Sequence, residues 1–316
     1  SIFRQRLCPN DRPACAVGIA VFCAGDAEQS SVFGAFTCVT LLTLPATPLA
    51  AATMPRHTFT LLTLLTTADA RLSKVERLER HIRMHAELKG TEPASGIIPS
   101  VFKDIQLPMR DGTKLSTIAI SPPFSSATKW PAVIDRSPYG HFATELLADI
   151  FLLFGFVSVE QDMRGSGKSD GNFSLWHSDA NDGADTLAWI TAQPWSDGRV
   201  FEIGASADGI AAEMMGMSHP KSLMGQFIIF ATAEARDTFY PGGAYRQGLI
   251  DGWLHGTFGP SSDHPQWESL IAETKTNEAP GKWWDNVTMF PDEWQDITWP
   301  TVHWAGWFDI FLKGNL

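Results

Sequence analysis

The sequence predicts an α/β fold: a mostly parallel sheet with helices on both faces and an inserted, mainly helical cap. Two observations lead to this prediction. From about residue 98 onward, short β-branched and aromatic runs alternate with helical stretches, which is typical of a parallel sheet covered on both faces. Between about residues 235 and 298 this alternation stops, and Pro–Gly pairs separate short helical stretches. That change indicates a cap over the carboxyl ends of the strands.

The body of the protein begins near residue 98 with a series of predicted strands. They lie at residues 102–109, 114–120, 130–135, 157–162, 200–203, 223–231 and 301–305, and a turn at 110–112 joins the first two. Helices are expected at 142–154 and 182–193, with another at 266–275 inside the cap. Eight of the twelve tryptophans lie from Trp253 onward, where they fit either the lining of an acyl pocket or a packed core.

The first 97 residues differ from this body. All four cysteines lie within the first 38 residues, a distribution that indicates segments of different origin rather than one disulfide framework. We interpret residues 1–53 as upstream sequence that is not native to the protein. Residues 71–97 have the apolar spacing of an amphipathic helix followed by a linker, and its basic side is interpreted as a solvated face. Residues 98–316 form the predicted α/β domain.

Residues 54–70 have the pattern of a secretory signal peptide. A basic start follows Met54, an uncharged apolar run comes next, and the small-residue site Ala68-Asp69-Ala70 ends the segment. The run is too short to cross a bilayer, so no stable membrane span is expected. On this interpretation the protein is secreted or periplasmic and begins at Arg71 after cleavage. The alternative is an ordinary N-terminal extension.

Composition excludes several classes of protein. The chain of 316 residues is 44% hydrophobic and 19% charged, which provides enough apolar surface for a substantial core. Its net charge of −11 argues against a nucleic-acid partner, which favours a basic face. No histidine lies among the cysteines at ligand spacing, so they carry no metal signature. The chemistry expected below implies neither a metal nor an organic cofactor. The sequence leaves the oligomeric state open.

Ser206 is the predicted nucleophile. It lies in the segment Gly-Ala-Ser-Ala-Asp-Gly at 204–209, between a β-branched and aromatic run and a run of good helix formers. A serine between small residues at a sharp strand-to-helix turn is the nucleophile elbow of an α/β-hydrolase, and the strained turn exposes its Oγ above the sheet. Asp208, in the first turn of the predicted helix, is interpreted as a residue that caps the helix and compensates its dipole.

Five further motifs accompany this elbow in a fixed order. They are Met-Arg-Asp-Gly at 109–112, Pro-Tyr-Gly at 138–140, Asp-Met-Arg-Gly-Ser-Gly-Lys-Ser-Asp-Gly at 162–171, Trp-Ser-Asp-Gly-Arg-Val at 195–200 and Gly-Trp-Phe-Asp at 306–309. Together they resemble the cocaine-esterase and X-prolyl dipeptidyl-peptidase group of α/β-hydrolases, over residues 100–316. Within the third motif, Asp162 and Arg164 are expected to form a structural pair.

The resemblance implies a role for each matching residue. Ser206 corresponds to the nucleophile and Asp309 to the triad acid. The Tyr139 hydroxyl and the backbone N–H of Ala207 correspond to the two oxyanion-hole donors, which acyl transfer requires at the developing oxyanion. The residues themselves leave two alternatives open: Tyr139 as a turn residue packed on the sheet, and Asp309 as a helix N-cap.

The sequence departs from the family pattern in two places. Ala207 stands where the family usually has tyrosine; this keeps the backbone donor but removes a ring. The triad histidine should follow the acid, so we expect it beyond Leu316, in a longer protein that also carries the family's C-terminal β-sandwich. This truncation is expected to leave the last strand as an unpaired sheet edge.

The histidines within the chain offer no clear substitute for the expected one. His303 is expected on the same strand as Asp309, about 20 Å away and too far to pair with it. His141, His255 and His264 remain open as alternatives, although nothing in the sequence marks any of them.

The function expected from these residues is that of a serine hydrolase. It would cleave an ester or amide through an acyl-enzyme, acting on a small-molecule ester or amide or on a short peptide. Esterase, acylase and X-Pro dipeptidyl-peptidase activities all remain open. The alternative is a catalytically inactive truncated fragment, or a binding module on a hydrolase scaffold.

Overall fold

The computed structural model describes residues 17–20, 101–122, 127–140, 150–290 and 293–315. The predicted signal peptide at 54–70 and the amphipathic helix at 71–97 lie outside the described residues. So do most of residues 1–53 and residues 141–149, which include His141.

The described strands form one mostly parallel sheet in the order β1-β8-β7-β6-β4-β5-β3-β2. Strand β3 runs antiparallel to β2 and β5, and the other neighbouring pairs are parallel. The strands are β1 (Val17–Ala20), β2 (Val101–Pro108), β3 (Lys114–Ile120), β4 (Trp130–Ser137), β5 (Val157–Asp162), β6 (Ser196–Ala205), β7 (Leu223–Ile229) and β8 (Thr301–Ala305). The predicted α/β fold class is therefore confirmed.

Strand β1 corrects one expectation from the sequence. Its four residues pair in parallel with β8, Val17 opposite Val302 and Ala20 opposite Ala305. The last strand is therefore not an unpaired edge in the described structure. The short run Val-Gly-Ile-Ala alternates β-branched and small residues, and such a run fits a pleated surface.

Among the described residues, two helices pack against the sheet and four lie between β7 and β8, where the sequence predicts a cap. The sheet-packed helices are α1 (Asp179–Ala192) and α2 (Ala207–Gly216). The cap helices are α3 (Ala235–Phe239), α4 (Gln247–Phe258), α5 (Trp267–Thr276) and α6 (Lys282–Asp285), and the short α7 (Leu312–Asn315) follows β8. Of the predicted helix at 142–154, the described part is a 3₁₀ turn at Ile150–Phe154. In the described part of the chain, no helix has the length and apolarity needed to cross a membrane.

The largest apolar cluster joins the elbow helix to the cap. Ile210 and Met214 of α2 pack in one buried cluster with Leu254 and Phe258 of α4. Trp176 and Trp284 are buried in the same cluster, while other cap tryptophans pack against it from partly buried positions. Aromatic side chains therefore form the contact between the cap and the end of the sheet that carries Ser206.

Candidate active site

Ser206 forms the turn between β6 and α2 by itself. Strand β6 ends at Ala205 and α2 begins at Ala207, and Ser206 has φ 61° and ψ −122°. Positive φ is uncommon for a residue with a side chain and persists only where the surroundings enforce it. Here the Ser206 N–H donates to the Ile229 carbonyl of the neighbouring strand at 2.8 Å, and its carbonyl accepts from the Ile210 N–H at 3.1 Å.

Close backbone approach explains the glycines on either side of Ser206. A Cβ at Gly204 would lie 2.5 Å from the carbonyl oxygen of Asp208, and a Cβ at Gly209 would lie 2.5 Å from the Cβ of Ala231. Neither neighbour is the flexible end of a side chain. The small residues of the motif are therefore required by the packing of α2 against β6 and the end of β7.

Tyr139 follows the end of β4 and brings its hydroxyl to Ser206. Its N–H donates to Ser137 Oγ at 3.1 Å, and its hydroxyl accepts from Trp253 Nε1 at 3.0 Å and lies within hydrogen-bonding reach of the Ser206 side chain. Although 38% of the residue's surface is exposed, its hydroxyl faces these partners. Desolvation, together with the nearby Asp208 carboxyl, raises the pKa of Tyr139 to about 12, so the hydroxyl keeps its proton at neutral pH.

Ala207 is the first residue of α2. The first four N–H groups of a helix have no acceptor within the helix, so the Ala207 N–H is a donor beside the nucleophile. The Ala207 carbonyl accepts a hydrogen bond from Trp176 Nε1 at 2.9 Å. The described structure thus brings together Ser206, Tyr139 and Ala207, three of the four predicted site residues.

The interpretation of Asp208 as a helix cap is wrong. Its side chain is buried and bonds to Ser137. Its Oδ1 has no hydrogen-bond partner in the described structure, and desolvation raises the pKa of Asp208 well above its usual range. The capping argument presumes an exposed carboxylate, whereas here α2 packs with this face against β4.

Asp309 lies in the turn after β8. Its Oδ1 accepts from the Phe311 N–H at 2.8 Å, two residues further on, which is the bond of an Asx turn. The side chain is half-buried, and desolvation raises the pKa of Asp309 against the opposing effect of the Phe311 and Gly306 backbone. The helix that follows begins only at Leu312.

The described histidines are engaged away from Ser206 and Asp309. His303 Nδ1 lies 3.4 Å from Oε1 of the buried Glu213, and its strand ends at Ala305, before Asp309. His264 Nε2 lies 3.2 Å from the Gly167 carbonyl oxygen, and His255 packs edge-to-face on Trp267. Among the residues that the structure describes, no histidine is hydrogen-bonded to the predicted nucleophile or acid.

The expected Asp162–Arg164 pair is also wrong. Arg164 instead pairs with Asp182 of α1 at 2.7 Å and with Asp111 at 2.8 Å. Asp162 Oδ2 accepts from the backbone N–H of Lys168 at 2.8 Å. The motif at 162–171 thus ties the turn after β5 to α1. Within the described ranges, no group of three or more histidine, cysteine or acidic side chains could hold a metal ion.

Sequence reasoning missed two side chains at the site, Trp176 and Trp253. Their indole N–H groups bond to the Ala207 carbonyl and to the Tyr139 hydroxyl. The abundance of tryptophan in the cap was visible in the sequence, but no spacing rule selects two tryptophans whose partners lie 31 and 114 residues away.

Comparison with known proteins decides the family. The model of the X-Pro dipeptidyl-peptidase (S15) family matches residues 111–316, about two thirds of the chain. The chain belongs to the S15 family. This confirms the resemblance found in the sequence motifs, and it places the chain in a family of hydrolases.

Curated relatives of this S15 family member are esterases. Cocaine esterase of Rhodococcus sp. (strain MB1 Bresler) is 32% identical over 164 residues, which cover 49% of this chain and 28% of that protein. The putative serine esterase Mb1866c of Mycobacterium bovis is 29% identical over 178 residues, covering 48% of this chain and 28% of that protein. The chain thus spans less than a third of the length of the curated relatives that it matches.

Solved structures support the α/β-hydrolase fold. A CocE/NonD family hydrolase from Staphylococcus aureus aligns with a TM-score of 0.54 and 22% identity, over 62% of this chain and 39% of that one. An aminopeptidase from a marine-sediment Thaumarchaeota archaeon aligns with a TM-score of 0.53 and 19% identity, over 66% and 43%. At these identities the likeness concerns the fold alone.

Proposed function

We propose that this S15 chain carries the nucleophile and oxyanion hole of a serine hydrolase that cleaves an ester or amide through an acyl-enzyme. One observation carries the proposal: Ser206 sits in a strained turn with the Tyr139 hydroxyl within hydrogen-bonding reach of its side chain. Strained serines at strand-to-helix turns are typical of nucleophiles.

The proposed reaction follows from the positions of these groups. Ser206 Oγ attacks the carbonyl carbon of the substrate, and the carbonyl π electrons move to its oxygen. The Tyr139 hydroxyl and the Ala207 N–H donate hydrogen bonds to that oxyanion. Collapse of the intermediate breaks the bond to the leaving alcohol or amine, and water then hydrolyses the serine ester. A histidine oriented by Asp309 would take the serine proton and pass it to the leaving group.

The proposed substrates are small esters or amides and short peptides. The names of the relatives and of the family support this range, because the curated relatives are esterases and the family is that of X-Pro dipeptidyl-peptidases. The aromatic side chains between the cap and the elbow would provide an apolar environment for an acyl group. An aryl ester such as p-nitrophenyl acetate is therefore the first substrate to test.

Covalent labelling tests the proposed nucleophile. A fluorophosphonate probe should modify Ser206, and Ser206→Ala should abolish the labelling. Ser218→Ala is the matched control, because Ser218 follows the other end of α2 and bonds only to the Met215 carbonyl in the described structure; this variant should label like the wild type. Labelling that persists in Ser206→Ala would contradict the assignment.

A further inference from the structure

We propose that Trp253 of cap helix α4 is a positioning residue for Tyr139, so that the cap completes the oxyanion hole by fixing where the tyrosine proton points. This inference rests on the proposed function, which makes Tyr139 an oxyanion donor. It assigns a role to Trp253, which lies on the cap and not on the strands and helix that carry Tyr139 and Ser206.

The chemistry of the indole fixes the direction of the hydrogen bond. An indole N–H can only donate, whereas a phenol both donates and accepts. In the 3.0 Å contact between Trp253 Nε1 and the Tyr139 hydroxyl, the tyrosine oxygen is therefore the acceptor. Its single proton must point elsewhere. Among the described residues, the other side chain within hydrogen-bonding reach is that of Ser206, so the proton is directed to the side where an oxyanion would form.

The other end of Tyr139 is held as well. Its backbone N–H donates to Ser137 Oγ at 3.1 Å, and Ser137 is bonded in turn to the buried Asp208 carboxyl. The main chain of Tyr139 is thus fixed by the sheet and the elbow helix. The indole N–H of Trp253 acts at the other end of the residue, on the hydroxyl.

Trp253 is held in place by the aromatic cluster around it. Its ring stacks on that of Trp176, with centroids 5.6 Å apart and planes at 2°, and it meets Phe173, Phe239 and Phe258 edge-on. Trp176 has a positive φ of 69°, a strained conformation for a bulky residue. The packing therefore determines the position of the indole N–H.

One aromatic stack consequently contacts both residues that supply the proposed oxyanion donors. Trp176 Nε1 holds the Ala207 carbonyl at 2.9 Å, and Trp253 Nε1 holds the Tyr139 hydroxyl at 3.0 Å. Small displacements of groups around a reacting atom cost as much as about 10²-fold in rate. A donor whose proton is free to rotate is less well prepared for the transition state than one that is fixed beforehand.

A double-mutant cycle tests the inference. Trp253→Phe keeps an aromatic ring for stacking and removes the indole N–H together with the five-membered ring, as Trp283→Phe does at the control position. In Trp253→Phe, kcat for p-nitrophenyl acetate should fall about 10- to 100-fold with little change in KM. Tyr139→Phe alone should lower kcat by about 10²- to 10³-fold. In the Tyr139→Phe background, Trp253→Phe should have almost no further effect, because the proton that it positions is gone.

Trp283→Phe is the matched control. Trp283 is a half-buried tryptophan of the same cap whose Nε1 bonds to Glu273 at 3.2 Å, and its loss should leave kcat unchanged. A Trp253→Phe effect of equal size in both backgrounds would contradict the inference, as would no effect at all. If Tyr139→Phe itself retains full activity, the oxyanion assignment in the proposed function is wrong and the inference falls with it.

A second measurement does not depend on turnover. The chain contains three tyrosines, so ¹³C labelling at the tyrosine Cζ gives three resonances, and Tyr139→Phe identifies that of Tyr139. Trp253→Phe should shift this resonance and Trp283→Phe should not. If the Tyr139 resonance is the same in Trp253→Phe as in the wild type, the hydrogen bond does not form in solution and the inference is wrong.

Discussion

At the scale of single residues, burial decides what the acidic side chains around the elbow do. Asp208 follows Ser206 by two positions, yet its carboxyl lies beneath the site, with one oxygen lacking a hydrogen-bond partner in the described structure. A buried carboxyl favours its neutral form. The fold therefore favours the protonated form of Asp208.

This burial predicts a pH-dependent stability for Asp208→Asn. The pKa of Asp208 is raised in the folded protein. The protonated side chain therefore contributes fully to the stability of the folded state below the pKa of Asp in the unfolded chain, near 4, and this contribution is lost as the pH rises. Asn cannot ionise, so the variant should be more stable than the wild type at pH 8, by on the order of 1 kcal/mol or more. The advantage should shrink toward pH 4.

Thermal unfolding at pH 4, 6 and 8 measures this effect. Asp285→Asn, at an exposed cap position, is the control and should leave the pH profile of stability unchanged. A constant difference between Asp208→Asn and the wild type at every pH would show that Asp208 does not titrate as its burial requires.

The residue scale also shows which site features can be predicted from sequence. The elbow was predictable because its glycines and serine are adjacent along the chain, and their spacing is fixed by local backbone contacts. The role of Asp208 was not predictable, since the helix-dipole argument assumes solvent around the carboxylate. The partners of Trp176 and Trp253 depend on tertiary packing alone.

At the scale of elements, a buried ion pair joins β4 to α1. Arg136 is almost fully buried, and its Nη1 lies 2.8 Å from Asp179 Oδ1. Its Nε donates to Gln161 of β5 at 2.9 Å. Burial raises the pKa of Asp179 to about 7, although Arg136 opposes this. The pair sets α1 against the strand that leads to Tyr139.

Removing the arginine should therefore destabilise the protein, and more so at high pH. Arg136→Met leaves Asp179 buried without its cation, which typically costs about 3–5 kcal/mol. Without Arg136 the pKa of Asp179 in the folded protein should rise further. The loss of stability relative to the wild type should therefore grow from pH 5 to pH 8. Urea unfolding at both pH values measures it.

Arg199→Met provides the matched comparison. Arg199 pairs with Asp197 at 2.6 Å, but its side chain is 59% exposed, and exposed pairs contribute little to stability. If Arg136→Met lowers the free energy of unfolding by no more than Arg199→Met does, the buried pair contributes no more to stability than the exposed pair.

The strands were the easiest elements to predict, and the cap was the hardest. Strands β3, β5 and β8 have the predicted bounds, because their buried runs end at clear turn residues. The cap helices are short and separated by Pro–Gly segments. Their positions depend on aromatic packing against α2, and such packing produces no regular spacing of apolar residues in the sequence. Strand β1 was missed because only four residues pair with β8.

At the scale of the whole molecule, we propose that the protein is exported. The proposal rests on the sequence pattern at residues 54–70. Expressed from Met54 in an exporting host, the protein should appear outside the cytoplasm with Arg71 as its first residue. N-terminal sequencing of the purified protein is the measurement. Finding Met54 or Pro55 at the start of cytoplasmic protein would contradict export.

The contact between Tyr139 and Trp253 spans 114 residues of the chain, and this separation orders events during synthesis. A ribosome makes Ser206 before it makes Trp253, and the cap must be in place before Trp253 can reach Tyr139. On the proposed mechanism, a growing chain carries its nucleophile before the tyrosine proton is fixed. On that proposal, a chain whose cap has not docked would hydrolyse esters more slowly than the folded protein, which would keep the activity low until folding is finished.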